Sequence, residues 1–366
     1  MNRVKVDLEE RSYPIMVGDG LLQQTGDLFN RLGFSRPPVV ISNPRVLRLH
    51  GRPLLQSLER RFGPISVIRI RDGERFKNQV SLQHVYDELF RAGADRKSWL
   101  IAFGGGVVGD LAGFAAATFM RGIPYVNVPT TLLAQVDSSI GGKVGINVRQ
   151  GKNLIGVFHQ PSAVVTDTAV LSTLPSRELA SGLFEVVKCA AIRSETLLRY
   201  LERRLPEIQS CQPHALEYVV LESCRIKAEV VSRDEREGKH RMILNYGHTV
   251  GHALEAATHY RKFTHGEAVA WGMLAALQFG NELGMLGSDQ GDRLARLIRR
   301  VEELPALSGI SFQALWRSLS HDKKFGSARI RMILLPRLGS SRICDDIDRA
   351  QLKRFLKNFL ANQGKN

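Results

Sequence analysis

A chain of 366 residues, 43% hydrophobic and 24% charged, is long enough for two folded domains and too evenly mixed for a disordered or fibrous protein. Its net charge of +15 is spread over single and paired Lys and Arg such as Arg60-Arg61 and Arg299-Arg300, with no concentrated basic block. That pattern argues against nucleic-acid binding and for cations kept to meet an anionic small molecule. The most membrane-like run, "LAGFAAATFM", is about half of the ~20 residues a spanning helix needs. The N-terminus carries charges where a signal peptide has its apolar core, and the four cysteines show no C-x-x-C pair. A cytoplasmic protein with reduced thiols and no membrane partner is expected.

In chain order, "PPVVIS", "PISVIRI", "SWLIAF", "YVNVP" and "SAVVTD" are compact apolar runs rich in β-branched residues, separated by turns or helical patterns. This rhythm predicts a Rossmann-like α/β domain with a mostly parallel sheet over residues 1–175. After Pro175 the pattern turns helical, through "ELASGLFEVVKCAAI", "ALEYVVLESCRIKAEVVSRDE", "GEAVAWGMLAALQFGNEL" and "DRLARLIRRVEEL". An all-α domain over residues 176–366 is expected, with a site in the cleft between the two.

Several stretches carry chemistry. "WLIAFGGGVVGDLAGFAAA" reads as strand, glycine turn and helix, and Gly104, Gly106 and Gly109 fit the loop that lets a backbone approach a pyrophosphate. The acid that usually ends the next strand is missing from "VNVPTT", so the standard dinucleotide fingerprint fails and a variant is expected. "PTTLLAQVDSSIGGKVGINVRQGKNLIG" sets Asp137, Lys143, Lys152 and Asn153 among glycines, the ingredients of a phosphate site or of a solvated loop. In "LASGLFEVVKCAAI", Glu185 and Lys188 share one face of an otherwise apolar helix, where a charge is costly unless paired or metal-bound. His248 and His252 lie four apart on a helix, as two metal ligands would; Thr249 stands where zinc proteases keep their glutamate base. Spacing alone makes both histidines ligands.

These stretches, together with "DGERFK", "TLPSRELASGLFEVVK", "KAEVVSRDERE", "HGEAVAWGM" and "DKK", resemble the 3-dehydroquinate synthase family within the sugar-phosphate cyclases. The likeness runs from about residue 70 to 335, with the motifs in the family's order. It implies conversion of 3-deoxy-D-arabino-heptulosonate 7-phosphate to 3-dehydroquinate and phosphate by transient NAD oxidation, phosphate elimination, reduction and aldol closure. It implies Zn²⁺, or Co²⁺, on Glu185, His248 and His265, and so moves His252 from the metal to the substrate. It implies an NAD site from Asp72, Gly73, Glu74, Arg75, Phe76 and Lys77, then Gly106, Val107, Val108, Gly109 and Asp110, then Thr130, Thr131, Lys143, Lys152, Val170, Leu171, Ser172 and Thr173. Around the substrate it implies Arg121, Asp137, Lys152, Asn153, Lys188, Lys227, Glu237, Arg241, Asn245, His252 and Lys323, or its neighbour Lys324. A homodimer is the family's habit. Cys189-Ala190 and Val144 depart from the family's usual residues. The alternatives are an inosose- or valiolone-type cyclase, an NAD- and metal-dependent polyol dehydrogenase, and a basic binding protein without catalysis.

Overall fold

The structure is a computed structural model, described here for residues 1–321 and 329–363. The first half of the chain runs β1 (Asn2–Val6), β2 (Tyr13–Gly18), α1 (Thr25–Arg31), β3 (Val39–Ser42), α2 (Pro44–Phe62), β4 (Ser66–Arg69), α3 (Gln79–Arg91), β5 (Leu100–Gly104), α4 (Gly106–Thr118), β6 (Tyr125–Pro129), β7 (Lys143–Val148), β8 (Gly151–Phe158) and β9 (Ala163–Asp167). The second half runs α5 (Ser176–Arg193), α6 (Glu195–Gln209), α7 (Pro213–Arg233), α8 (His248–Ala257), α9 (His265–Glu282), α10 (Ser288–Val301), α11 (Phe312–His321), β10 (Arg329–Arg337), β11 (Ser340–Asp348) and α12 (Arg349–Gln363). Two compact units emerge: Met1–Pro175 with Ser210–Arg236, and Ser176–Gln209 with Glu237–Asn366.

The first unit is built on a seven-stranded sheet in the order β1-β2-β9-β6-β5-β3-β4. Every pairing is parallel except that of β1 with β2. All residues of β3, β5, β6 and β9 are buried, which is why these strands read as unbroken apolar runs instead of alternating ones. The five runs singled out in the sequence are β3, β4, β5, β6 and β9. Their spatial order β4-β3-β5-β6-β9 reverses direction between β3 and β5, so the carboxyl ends of those two strands form a topological switch point, the usual ligand position in open α/β sheets. Asn43 and Asn78 cap α2 and α3 by accepting from the backbone amides of Val46 and Ser81, and Pro44 occupies the first turn of α2. β7 and β8 form a separate antiparallel hairpin, with β7 packed on α4.

A single division at Pro175 does not describe the chain, because α7 groups with the sheet unit. Its apolar face, including Leu216, Val219, Val220 and Val230, is buried, and the helix packs against β1 and β2. Asn2 Nδ2 donates to Glu217 Oε1 at 2.6 Å, and the Asp7 amide donates to Ser232 Oγ at 2.8 Å. Helical periodicity reveals a helix but not the partner that covers it.

The second unit is helical, as expected, with one antiparallel hairpin, β10–β11, added near its end. At its centre lie α5 and α9, each buried around nearly the whole circumference, which a single apolar stripe would not require. α9 contacts α5, α8, α10, α12 and β10. No described helix is long and apolar enough to cross a membrane.

Candidate functional site

At the switch point of the sheet unit, Gly105 caps α4 without a side chain, so the first amides of the helix are left for another acceptor. A Cβ on Gly104 would lie 2.5 Å from Val108 Cγ2; strand and helix meet here only because residue 104 has no side chain. The Thr130 amide donates to the Gly104 carbonyl at 3.0 Å, and Thr131 Oγ1 accepts from the Ala134 amide, which holds the loop after β6 against the glycine turn. Lys77, buried, reaches into the same region: its Nζ is 2.8 Å from Asp110 Oδ2 and 3.5 Å from Glu74 Oε1. Burial alone would lower the Lys77 pKa, but Asp110 and Glu74 outweigh it and hold the ammonium above its ordinary value.

The other expected cofactor residues differ in what they can offer. Asp72 Oδ1 accepts from Asn43 Nδ2 at 3.4 Å, Gly73 has φ 106°, and the Arg75 guanidinium stands 4.6 Å over the Phe76 ring. Gly106, Val107 and Gly109 lie in the first turn of α4, partly exposed, while Val108 is a core side chain. Val170 and Leu171 are also core, so only their backbone is available; Ser172 and Thr173 donate back to the carbonyls of Ala169 and Val170. Lys143 is exposed at the start of β7, and Lys152 lies near the turn of the hairpin. Asn43, at the carboxyl end of β3, went unnoticed in the sequence; "SNP" signals a helix cap there, and only the sheet order places it at the switch point.

Among the residues expected around a substrate, Lys227 on α7 is buried, and its ammonium contacts both the carboxylate and the carbonyl of Asp137. Arg121 (φ 69°) and Asn153 (φ 55°) are non-glycine residues in the left-handed region, where a side chain is held at a cost of about 1–3 kcal/mol. Both are exposed.

The helical unit brings Glu185, Lys188, His248, His252 and His265 together. Glu185, on α5, is fully buried, and neither carboxylate oxygen has a hydrogen-bond donor of good geometry. The Lys188 ammonium lies against Oε2, while Oε1 faces His248 Nε2 at 3.7 Å and His265 Nε2 at 3.6 Å. Four-coordinate zinc with ligands at about 2.1 Å separates them by ~3.4 Å, so these spacings are those of two ligand pairs around one cation. One ligand atom from each of His248, His252 and His265 lies within 4.8 Å of the others.

The far side of each ring is fixed. His248 Nδ1 donates to the Tyr246 carbonyl at 3.1 Å, and His265 Nδ1 to Glu255 Oε2 at 3.3 Å, which leaves the Nε2 lone pairs directed at the common point. Burial, reinforced by Lys188 and the neighbouring histidines, lowers the His248 pKa well below 6.5 and keeps it neutral, the form that can ligate. His265 is placed by α9, of which it is the first residue. Thr264 and Glu267 form a capping box, and Glu267 is clasped by Arg177 through Nε at 2.7 Å and Nη2 at 2.8 Å. A Cβ on Gly266 would meet the Ser181 carbonyl at 2.1 Å, so glycine lets α9 start against α5, one turn from Glu185. Nearby, Asn245 Nδ2 donates to Glu237 Oε1 at 2.7 Å, Glu237 adopts φ 58°, and Arg241 is buried. Lys323 and Lys324 lie outside the described residues. Tyr246, Glu255, Arg177 and Glu267 were not anticipated; "THGE" is a legible capping box, but the partners reside on other elements.

The family model described as 3-dehydroquinate synthase N-terminal matches residues 67–181, and the 3-dehydroquinate synthase C-terminal model matches residues 182–325. A 3-dehydroquinate synthase of Pelotomaculum thermopropionicum is 46% identical over 363 residues, covering 99% of this chain and 96% of the relative. One from Pseudomonas fluorescens is 44% identical, covering 97% of each. Among solved structures, 2-deoxy-scyllo-inosose synthase complexed with carbaglucose-6-phosphate, NAD⁺ and Co²⁺ aligns with a TM-score of 0.89 at 27% identity, covering 98% of this chain and 99% of that one. The 2-epi-5-epi-valiolone synthase of Streptomyces hygroscopicus, with NAD⁺ and Zn²⁺ bound, aligns with a TM-score of 0.87 at 26% identity, covering 97% and 99%.

Proposed function

The chain belongs to the 3-dehydroquinate synthase family and carries out its reaction, and from that premise we propose which residues serve it. The reaction converts 3-deoxy-D-arabino-heptulosonate 7-phosphate to 3-dehydroquinate and phosphate. The inosose and valiolone alternatives recede because relatives of this activity reach 46% identity, against 27% and 26% for the solved structures of those two cyclases.

We assign a divalent metal, Zn²⁺ or Co²⁺, to Glu185, His248 and His265, and NAD to the glycine turn with Glu74, Lys77, Asp110, Thr130 and Thr131. The observation that carries the metal assignment is the buried Glu185 carboxylate, whose Oε2 is met by Lys188 while Oε1 faces two Nε2 atoms at ligand spacing. When bound, NAD supplies a reversible hydride acceptor and the metal a Lewis acid for the hydroxyl being oxidised. The residues do the rest. Tyr246 and Glu255 hold the two ligating imidazoles in one tautomer. His252, beside them, is suited to move the proton of the reacting hydroxyl, since an imidazole offers both a proton donor and an acceptor nitrogen. Lys152, Asn153, Arg121, Lys188, Lys227 and Arg241 offer the cations and donors that a substrate with both a phosphate and a carboxylate needs, and Glu237 orients Asn245.

We further propose a cytoplasmic homodimer. β8 supports the second part: Leu154, Ile155, Val157 and Phe158 are exposed along a strand whose pairing, among the described residues, is with β7 alone.

The test offers the purified protein, with NAD and Zn²⁺, heptulosonate phosphate, glucose 6-phosphate and sedoheptulose 7-phosphate in separate reactions. Phosphate should leave only the first. The other two lack the carboxylate, and a cation left unpaired costs several kcal/mol, about a hundredfold or more in kcat/KM. Comparable phosphate release from sedoheptulose 7-phosphate would overturn the substrate assignment.

A further inference from the structure

Asn147, near the end of β7, has no part in the scheme above, yet its hydrogen bonds join two segments that do. Its Nδ2 donates to Glu74 Oε1 at 2.7 Å and to the Glu74 carbonyl at 3.3 Å, and its Oδ1 accepts from the Asn153 amide at 2.9 Å. Its own amide donates to the Lys77 carbonyl at 2.8 Å. The β7–β8 register shifts between Ile146 and Val148, so Asn147 sits at a bulge, where a strand turns a residue out of the ladder and re-aims it. On the other strand, Asn153 takes φ 55°, the backbone bend from which its amide meets Asn147. Bulge and bend are both local costs, and a hairpin that needed only to close would require neither.

From Asn147 the chain of contacts continues through Glu74 to Lys77, and from Lys77 to Asp110 in the second turn of α4. Glycine turn, 72–77 loop and hairpin are therefore joined through polar contacts inside one compact unit.

We propose that Asn147 is a positioning residue that couples the cofactor segment to the substrate hairpin: engagement of Glu74 and Lys77 by NAD sets the placement of Lys152 and Asn153. This rests on the reading of Glu74 as a cofactor residue and of Asn153 as a substrate residue. Coupling of this kind is reciprocal, so loss of Asn147 weakens both binding events and leaves the chemical step largely alone.

The experiment uses the full-length, zinc-loaded enzyme. It measures the NAD Kd by calorimetry and, at saturating NAD, kcat and KM for heptulosonate phosphate, with Glu74→Ala as reference. Asn147→Ala should raise both the NAD Kd and the substrate KM about tenfold, the scale of hydrogen bonds to a charged group, with kcat within about threefold of wild type. Asn147→Asp keeps an acceptor for the Asn153 amide but sets a carboxylate against Glu74. Because the link to Glu74 is broken while the contact to Asn153 is spared, coupling should raise both the NAD Kd and the KM at saturating NAD about tenfold; a raised Kd with KM within twofold would show two independent segments and overturn the proposal. If Asn147→Ala does not fold, Asn147→Asp carries the test unaided. An NAD Kd within twofold of wild type in the Asn147 variants, beside a raised Kd in Glu74→Ala, overturns the proposal and spares the cofactor site. An unchanged Kd in Glu74→Ala overturns the cofactor role of Glu74 and the coupling with it.

Discussion

Glu185 lies fully buried on a helix that is itself buried, and the imidazoles it faces are held from behind by Tyr246 and Glu255. Lys152, Asn153 and Arg121, by contrast, stand on a hairpin and a turn, at least partly exposed, two of them with left-handed backbone. The first region is fixed by packing and by hydrogen bonds from the protein itself; the second is held by a few hydrogen bonds to neighbouring loops. A metal needs ligands in place to a fraction of an ångström, and burial in packed helices supplies that rigidity. A substrate that must enter and leave is better met by segments that can adjust.

The contrast breaks most visibly at the proposed metal set. Replacing Glu185, His248 or His265 by alanine should remove bound zinc and lower kcat/KM by a thousandfold or more, the scale of lost metal polarisation. His252→Ala should leave zinc in place and lower activity alone. Metal analysis of the purified variants separates the two patterns, and full zinc in His265→Ala would take that residue out of the ligand set.

Rigidity itself is tested at Gly266. Its alanine variant must push α9 away from the Ser181 carbonyl, a clash worth about 1–3 kcal/mol of stability. The variant should melt several degrees lower and bind zinc more weakly in a chelator competition; unchanged zinc affinity would mean that α9 does not set the position of His265.

In the sheet unit, Glu74→Ala should weaken NAD by about tenfold without altering metal content, as read by calorimetry and metal analysis. A smaller effect belongs to Lys77, whose pKa is raised above the ordinary 10.5 of a lysine in the folded protein. Its contribution to stability is therefore complete below that value and is lost as the pH rises through the folded pKa. The gap in urea midpoint between wild type and Lys77→Met should be constant from neutral pH to about 10 and shrink beyond it. A gap that widens there would reverse the sign of the assignment.

The same contrast governs what the sequence disclosed. β3, β5, β6 and β9 are legible because strands buried on both faces leave dense β-branched runs, and Glu185 with Lys188 is legible because charge is rare on a buried helix. The side of the chain on which α7 packs, and the hairpins β7–β8 and β10–β11, depend on partners that periodicity does not name. His248 and His252 invited pairing as ligands because they are neighbours in sequence; the proposed partner of His248, His265, comes from another helix. Contacts that secure the site are longer still in sequence: Glu74 meets Asn147 across 73 residues and Arg177 meets Glu267 across 90. Such pairs are properties of the fold, and no local pattern announces them.

In the proposed reaction the redox cycle closes within each turnover. It is tested most directly by following phosphate and absorbance at the NADH wavelength together, with the zinc-loaded enzyme, NAD and heptulosonate phosphate in excess over enzyme. Phosphate should accumulate to the amount of substrate supplied while NADH never exceeds the enzyme concentration. NADH that grows in step with substrate consumed, with no phosphate released, would contradict the claim and mark the protein as a dehydrogenase.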